Sequence, residues 1–201
     1  KGLSQSEFSQ LETWLKGEQQ KLYERYLKAK FYKSYGDNMV MPDHVAIARR
    51  YQKALMPVAQ ALRGPLAQQP TRRAQIEYVM QWLQTMPYDL LQNRYTSSGA
   101  GFQTPLGLLA TNKGDCDTKM TTMAALMRLL WPNTKIAFVY IPQHALLALD
   151  VPAEAGDMLL TLEGRRYVLA DVTGPAMSPL GDISNETKHY LQRRSYQYAL
   201  F

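Results

Sequence analysis

The sequence predicts an α+β fold, with helices first and an antiparallel sheet after them. Apolar residues recur at helical spacing from residue 4 to about residue 130. After Trp131-Pro132-Asn133 the pattern changes to short β-rich runs separated by turn residues. A chain of 201 residues with 46% hydrophobic and 20% charged side chains is large enough for one good core with an appended part.

Residues 4–34 read as one long amphipathic helix. Phe8, Leu15, Leu22 and Ala29 are spaced seven apart, with Leu11, Trp14, Tyr26 and Tyr32 near that stripe. Ser4 and Glu7 fit a capping box. Gly36-Asp37-Asn38 breaks the pattern. Pro42-Asp43 opens a second helix to about Leu62, in which Pro57 should force a kink or a restart. Arg63-Gly64-Pro65 ends it, and Gln68-Gln69-Pro70 reads as a linker. The two helices form a hairpin that either packs on the C-terminal domain or extends from it. Heptad spacing over so few turns reads as core packing rather than a coiled coil. The predicted division is therefore a basic helical hairpin or arm at 1–70 and a core with a C-terminal tail at 71–201.

Thr71 caps a helix with Ile76, Val79, Met80 and Leu83 inward, ending near Met86-Pro87. Residues 92–104 are polar and glycine-rich and read as a surface loop. Thr104-Pro105 restarts a short helix. Asp115 caps the next, which runs to Leu130 with Met120, Met123, Leu126, Met127 and Leu130 inward. Strands are expected at 135–141, 144–151, 158–162 and 165–172. The 144–151 run is nearly all apolar, as a central strand buried on both faces should be. Residues 176–201 read as irregular, then helical.

The formal charge of +6 is unevenly placed. Residues 1–73 carry thirteen Lys/Arg against six Asp/Glu, whereas residues 74–201 are nearly balanced. The basic part reads as a solvated helical face or as a surface for an acidic partner or membrane headgroups. Its aromatic residues belong to the apolar stripe, so no specific nucleic-acid site is expected. No apolar run reaches the ~18 residues needed to span a bilayer, and no signal peptide is visible. A single cysteine allows no internal disulfide.

That cysteine lies in Gly114-Asp115-Cys116-Asp117, at the start of a predicted helix, where the helix dipole favours a thiolate. His144 opens a strand 28 residues later, and Asp171 ends another strand 27 residues beyond that. Neighbouring strand ends packed on the cysteine helix can set His144 beside Cys116 and Asp171 behind His144. The expected chemistry is a nucleophile, a base and an orienting acid, with a thiolate–imidazolium pair. The backbone N–H of Cys116 would be one oxyanion donor, and Gln103 is a candidate for the second. Asp115 and Asp117 suit a helix start but oppose the thiolate. His44 and His189 have no partner pattern and read as surface residues. One Cys and three dispersed His give no zinc-like spacing, and no phosphate loop is present.

Gly114-Asp115-Cys116, then His144-Ala145, then Tyr167 to Thr173 around Asp171, resemble the transglutaminase-like superfamily, above all the bacterial transglutaminase-like cysteine proteases. The likeness covers about residues 71–175. It departs at Leu146, where many members have Trp, and at Val172, where many have Pro. The resemblance implies a papain-like core, with the nucleophile helix packed on an antiparallel sheet. It implies Cys116 as nucleophile, His144 as base and Asp171 as orienting acid, acting on a protein or peptide amide. It also implies a bacterial extracytoplasmic setting such as the periplasm. No cofactor is required, although calcium near Asp115 and Asp117 fits some relatives. Two readings stay open beside hydrolysis: amine transfer from the same thioester, and a non-catalytic interaction module of the same fold.

Overall fold

A computed structural model describes residues 2, 4–35, 39–93 and 101–201. Among these are six helices and seven strands. Helix α1 spans Gln5–Ala29. Its start has the predicted capping box, with Glu7 accepting from the Ser4 backbone N–H at 2.8 Å. The helix ends five residues before the predicted position. Lys30 closes it, and Phe31 takes a left-handed conformation at φ 58° that redirects the chain. Strands β1 (Tyr32–Tyr35) and β2 (Met39–Pro42) then pair antiparallel where the sequence predicts helix and break. Gly36-Asp37-Asn38 and most of the 92–104 loop lie outside the described residues.

Helix α2 spans His44–Ala67 and runs unbroken through Pro57 and Pro65. Pro57 and Lys53, whose carbonyl the proline leaves free, are both solvent-exposed, so water can satisfy that oxygen. Helix α3 (Arg72–Gln84) is capped by Thr71 as predicted. Helix α4 (Pro105–Thr111) starts at the Thr104 cap, and helix α5 spans Cys116–Leu130.

The predicted boundary at 70/71 is corrected to 43/44. The chain divides into Lys1–Asp43 and His44–Phe201. The reason is packing: α2 lies against α5 and α4, so it belongs to the core rather than to an arm. Its inward positions Ile47, Leu55 and Leu66 are all buried.

The sheet of the larger unit is antiparallel, in the order β5-β6-β4-β3-β7. Its strands are β3 (Ile136–Ile141), β4 (His144–Leu149), β5 (Leu159–Leu162), β6 (Arg165–Ala170) and β7 (Gln197–Leu200). The first four fall where the sequence places them, and β4 is central and buried from Ala145 on. Strand β7, after helix α6 (Asn185–Gln192), has no sequence signal, because a short, mostly exposed edge strand has no buried alternation to read. One sheet face carries Val139, Leu146, Leu160 and Leu169 with Ile183. Helix α5 packs on β4, and its Met120, Met123, Leu126 and Met127 are fully buried. Each contributes roughly 1.5–3 kcal/mol by leaving water. Among the described residues no helix is long and apolar enough to cross a membrane.

Candidate functional site

Asp115 is the N-cap of α5, and its Oδ1 accepts the Thr118 N–H at 2.9 Å. Gly114, before the cap, is closely packed: a Cβ there would stand 2.8 Å from the end of the Leu108 side chain. The Asp115 cap makes Cys116 the first helical residue, buried with 8% of its surface exposed. Across from it, Pro142 and Gln143 turn β3 into β4, and the backbone N–H of Ala145 faces the Cys116 sulfur and favours its ionised form. The residue before Ala145 is His144.

His144 Nε2 lies 2.9 Å from Asp171 Oδ2. The other carboxylate oxygen, Oδ1, accepts from the Thr173 N–H at 3.0 Å. Gln84, fully buried on α3, donates to the Asp171 carbonyl at 2.7 Å and to that of Ser178 at 3.1 Å. Asp171 is thus held at both its side chain and its backbone. Burial pulls the His144 imidazole toward neutrality, but its hydrogen bond to Asp171 and the charges of Asp171, Asp117 and Glu186 outweigh that and raise its pKa. Burial pushes the Asp171 carboxyl up, but the His144 hydrogen bond and charge and the Thr173 N–H bring it below the ordinary value. Since Nε2 faces Asp171, Nδ1 is the ring nitrogen left to serve a thiol.

The thiol itself differs from the sequence-based expectation. Burial, then the charges of Asp117 and Asp115, push Cys116 up to about 12. These influences favour the neutral thiol, opposing the thiolate that the helix start alone would favour. Its S–H points to Asp117 Oδ1 at 3.6 Å. Burial also raises Asp117, and it takes Asp115 to about 6 against the Thr118 hydrogen bonds.

Gln103 does not serve as the second oxyanion donor here. Its amide nitrogen donates to the Lys113 carbonyl and, at 3.2 Å, to Thr111 Oγ1, which ties the end of α4 to the loop before it. Asp115 and Asp117, the calcium candidates, have other partners in this structure. Calcium takes about six oxygens, whereas Asp115 is engaged as the cap and Asp117 with Cys116 and His44. No group of three or more His, Cys, Asp or Glu able to hold a metal occurs among the described residues.

Three further residues gather near the thiol without being singled out by the sequence. His44, expected at the surface, is fully buried at the start of α2. Its Nδ1 is 3.1 Å from the Tyr140 hydroxyl, and its Nε2 is 3.5 Å from Asp117 Oδ2. The apolar stripe of α2 gives the signal, because residue 44 precedes Ile47, Tyr51 and Leu55 on the same helical face. His189, by contrast, is exposed as expected. Tyr88 lies beside Cys116, and burial with the charges of Cys116, Asp115 and Asp117 pushes its phenol up to about 12. It is placed there because its segment runs beside Gly114, with Gly114 N–H donating to Pro87 O at 3.1 Å. Lys119 is fully buried and donates to the carbonyls of Met86 at 2.6 Å and Thr173 at 2.5 Å, so it ties the first turns of α5 to the loop that carries Asp171.

A cavity of about 460 Å³ adjoins this arrangement on the side of His144 and Asp171. Gln143, Ser178, Asp182, Glu186 and Tyr190 line it, so its charged walls are acidic. No protein-family description, no characterised protein and no solved structure matches this chain.

Proposed function

We propose that the chain is a cysteine hydrolase of the transglutaminase-like type, with a papain-like core, that cleaves a protein or peptide amide through a thioester at Cys116. The observation that carries this reading is the 2.9 Å contact between His144 and Asp171, with the backbone N–H of Ala145, next to His144, facing the Cys116 sulfur and favouring its ionised form. Bound amide substrate displaces water from the thiol. The S–H proton passes to His144 Nδ1, and Asp171 stabilises the imidazolium that forms. The sulfur attacks the carbonyl carbon, and the Cys116 N–H, which has no acceptor within its own helix, donates to the developing oxyanion. The imidazolium then protonates the leaving amine. Water, activated by His144, releases the acid. The cavity beside the His144–Asp171 pair admits the substrate chain.

Cys116→Ala is expected to abolish hydrolysis of peptide amides while leaving the circular dichroism spectrum and melting temperature near those of the parent. Turnover that survives the substitution would sink the proposal. Adding a labelled primary amine to the same assay separates water from amine as acceptor. A second reading, a non-catalytic module of the same fold, is favoured by the thiol's shift to about 12. It is supported if no peptide or amine reaction depends on Cys116.

A further inference from the structure

The apolar stripe of α1, whose heptad spacing reads as core packing, lies on the surface. Phe8, Leu11, Trp14, Leu15, Leu22 and Tyr26 are between 42% and 61% exposed. At about 3.6 residues per turn they fall on one side of the helix, and Leu27, the one buried residue of α1, falls on the other. Strand β1, the element that α1 packs on, leaves the stripe bare. Six large apolar side chains, each about half exposed, present on the order of 600 Å², against the ~800 Å² that each partner buries in a standard interface. A contiguous patch of that size marks a docking surface.

We propose that this stripe is the interface of a homodimer in which α1 pairs antiparallel with α1 of a second copy. The charges choose both the occupant and its direction. Helix α1 carries four Lys/Arg and four Glu. It therefore has no net charge to hold it on an anionic membrane, although residues 1–73 as a whole are basic. Glu18 and Arg25 interrupt the stripe, and Glu7, Lys21 and Lys28 border it along one edge. In a parallel pair equal positions meet at the centre, so Glu18 would face Glu18, Arg25 would face Arg25, and at the border Glu7 would face Glu12. In an antiparallel pair the basic-ended edge meets itself end for end. Leu22 then packs on Leu11 of the second copy, and Phe8 packs on the stem of Arg25. Glu7 faces Lys28, and Lys21 lies over Trp14. Among the described residues no carboxylate of the same chain pairs with Arg25 or Lys28, whereas Glu18 keeps Lys21 of its own helix at 2.9 Å. Such a pair is isologous and closes on itself, so it stops at two. The inference stands apart from the chemistry at Cys116, since α1 carries no residue of the candidate site.

The test is sedimentation equilibrium of the full chain, for the parent, Leu15→Glu, Leu22→Glu and Lys28→Glu, with a thermal melt of each. The parent should be a monomer–dimer mixture whose dimer fraction rises with concentration. Leu15→Glu and Leu22→Glu should each raise the dissociation constant by about tenfold or more, with the main melting transition of the monomer unmoved, because both side chains are exposed in the single chain. Lys28→Glu should raise it a few-fold, because it sets a second carboxylate against Glu7. Direction is read with a short bis-maleimide in a Cys116→Ala background. Glu7→Cys mixed with Lys28→Cys should cross-link, and Glu7→Cys alone should not. A parent that stays monomeric at every concentration, a dimer indifferent to Leu15→Glu and Leu22→Glu, or Glu7→Cys linked to itself overturns the proposal. So does a monomeric parent that floats with phosphatidylglycerol vesicles when Leu22→Glu does not, since the stripe would then belong to a lipid surface. Should the glutamate variants lose helix by circular dichroism, the cross-linking decides alone. The readouts are mass and linkage, so they stand whether or not the chain hydrolyses an amide.

Discussion

His144 Nε2 and Asp171 Oδ2 stand 2.9 Å apart, joining the first residue of β4 to the residue after β6. The pair links the site to pH in a definite direction. Asp171 is depressed below its ordinary 3.8, so its stabilisation is present above that value and is lost as pH falls through the lower folded value. His144 is raised above 6.5, so its stabilisation is present below 6.5 and is lost as pH rises through the folded value. The pair therefore stabilises fully between 3.8 and 6.5. Asp171→Asn should lower the melting temperature most in that window, by the equivalent of roughly 1.5–3 kcal/mol, with the difference shrinking on either side. An NMR titration should also show the His144 pKa falling in the variant.

The loop that carries Asp171 depends on Gly174. Its φ of +62° favours glycine, and a Cβ there would stand 2.2 Å from the backbone oxygen of Gln84. Gln84 is the same residue whose amide holds the Asp171 carbonyl. Gly174→Ala should therefore cost about 2–4 kcal/mol in urea unfolding and disturb the acid as well. Gln84→Leu leaves the carbonyls of Asp171 and Ser178 without that donor and should cost about 1–3 kcal/mol.

Legibility in the sequence divides along a physical line. Elements with strong local signals fall where predicted: the Ser4–Glu7 capping box, the Thr71, Thr104 and Asp115 caps, and the all-apolar β4. The placement of Cys116 at a helix start and the pairing of His144 with Asp171 are legible because each sits at an element end, where spacing along the chain maps onto position in space. The β1–β2 hairpin, β7 and the partners of His44, Lys119 and Gln103 are not legible. Their places are set by tertiary packing, which overrides local pattern. Lys119 shows this well: as a lysine it reads as surface, yet two main-chain carbonyls from distant segments make its full burial tolerable. The ionisation of Cys116 departs from expectation for a related reason. The helix dipole can be read from sequence, but the burial that outweighs it cannot.

Arg73 on α3 clamps the far side of the core. It binds Asp157 with two hydrogen bonds, of 2.9 and 2.7 Å, and also donates to the Leu180 carbonyl. The side chains are 16% and 5% exposed, so this is not an ordinary surface pair. Arg73→Leu should cost about 2–4 kcal/mol, because it leaves a buried carboxylate unpaired. Arg73→Lys should recover only part of that, since an ammonium cannot make the forked contact. The Arg73 hydrogen bond holds Asp157 below its ordinary 3.8. The stability it gives is therefore present above 3.8 and is lost as pH falls through the lower folded value, and acid titration of the two variants against the parent should show this.

Truncation separates the corrected boundary from the predicted one. Among the described residues of 1–43, only Leu27 is a buried hydrophobic residue. Residues 44–201 hold the sheet, α2 through α6 and every residue of the candidate site. A chain starting at residue 44 should therefore fold, with a cooperative melt and an alkylation profile like that of the full protein. A chain starting at residue 71 loses α2, and with it the buried Ile47, Leu55 and Leu66 and the fully buried His44. At roughly 1.5–3 kcal/mol for each of the three aliphatic side chains, the loss is about 5–9 kcal/mol. That is comparable to the ~5–15 kcal/mol stability of a whole domain, and it also strips the apolar cover from α5. The shorter chain should therefore lack a cooperative thermal transition. A sharp melt from residues 71–201 would restore the 70/71 boundary and make α2 an arm after all.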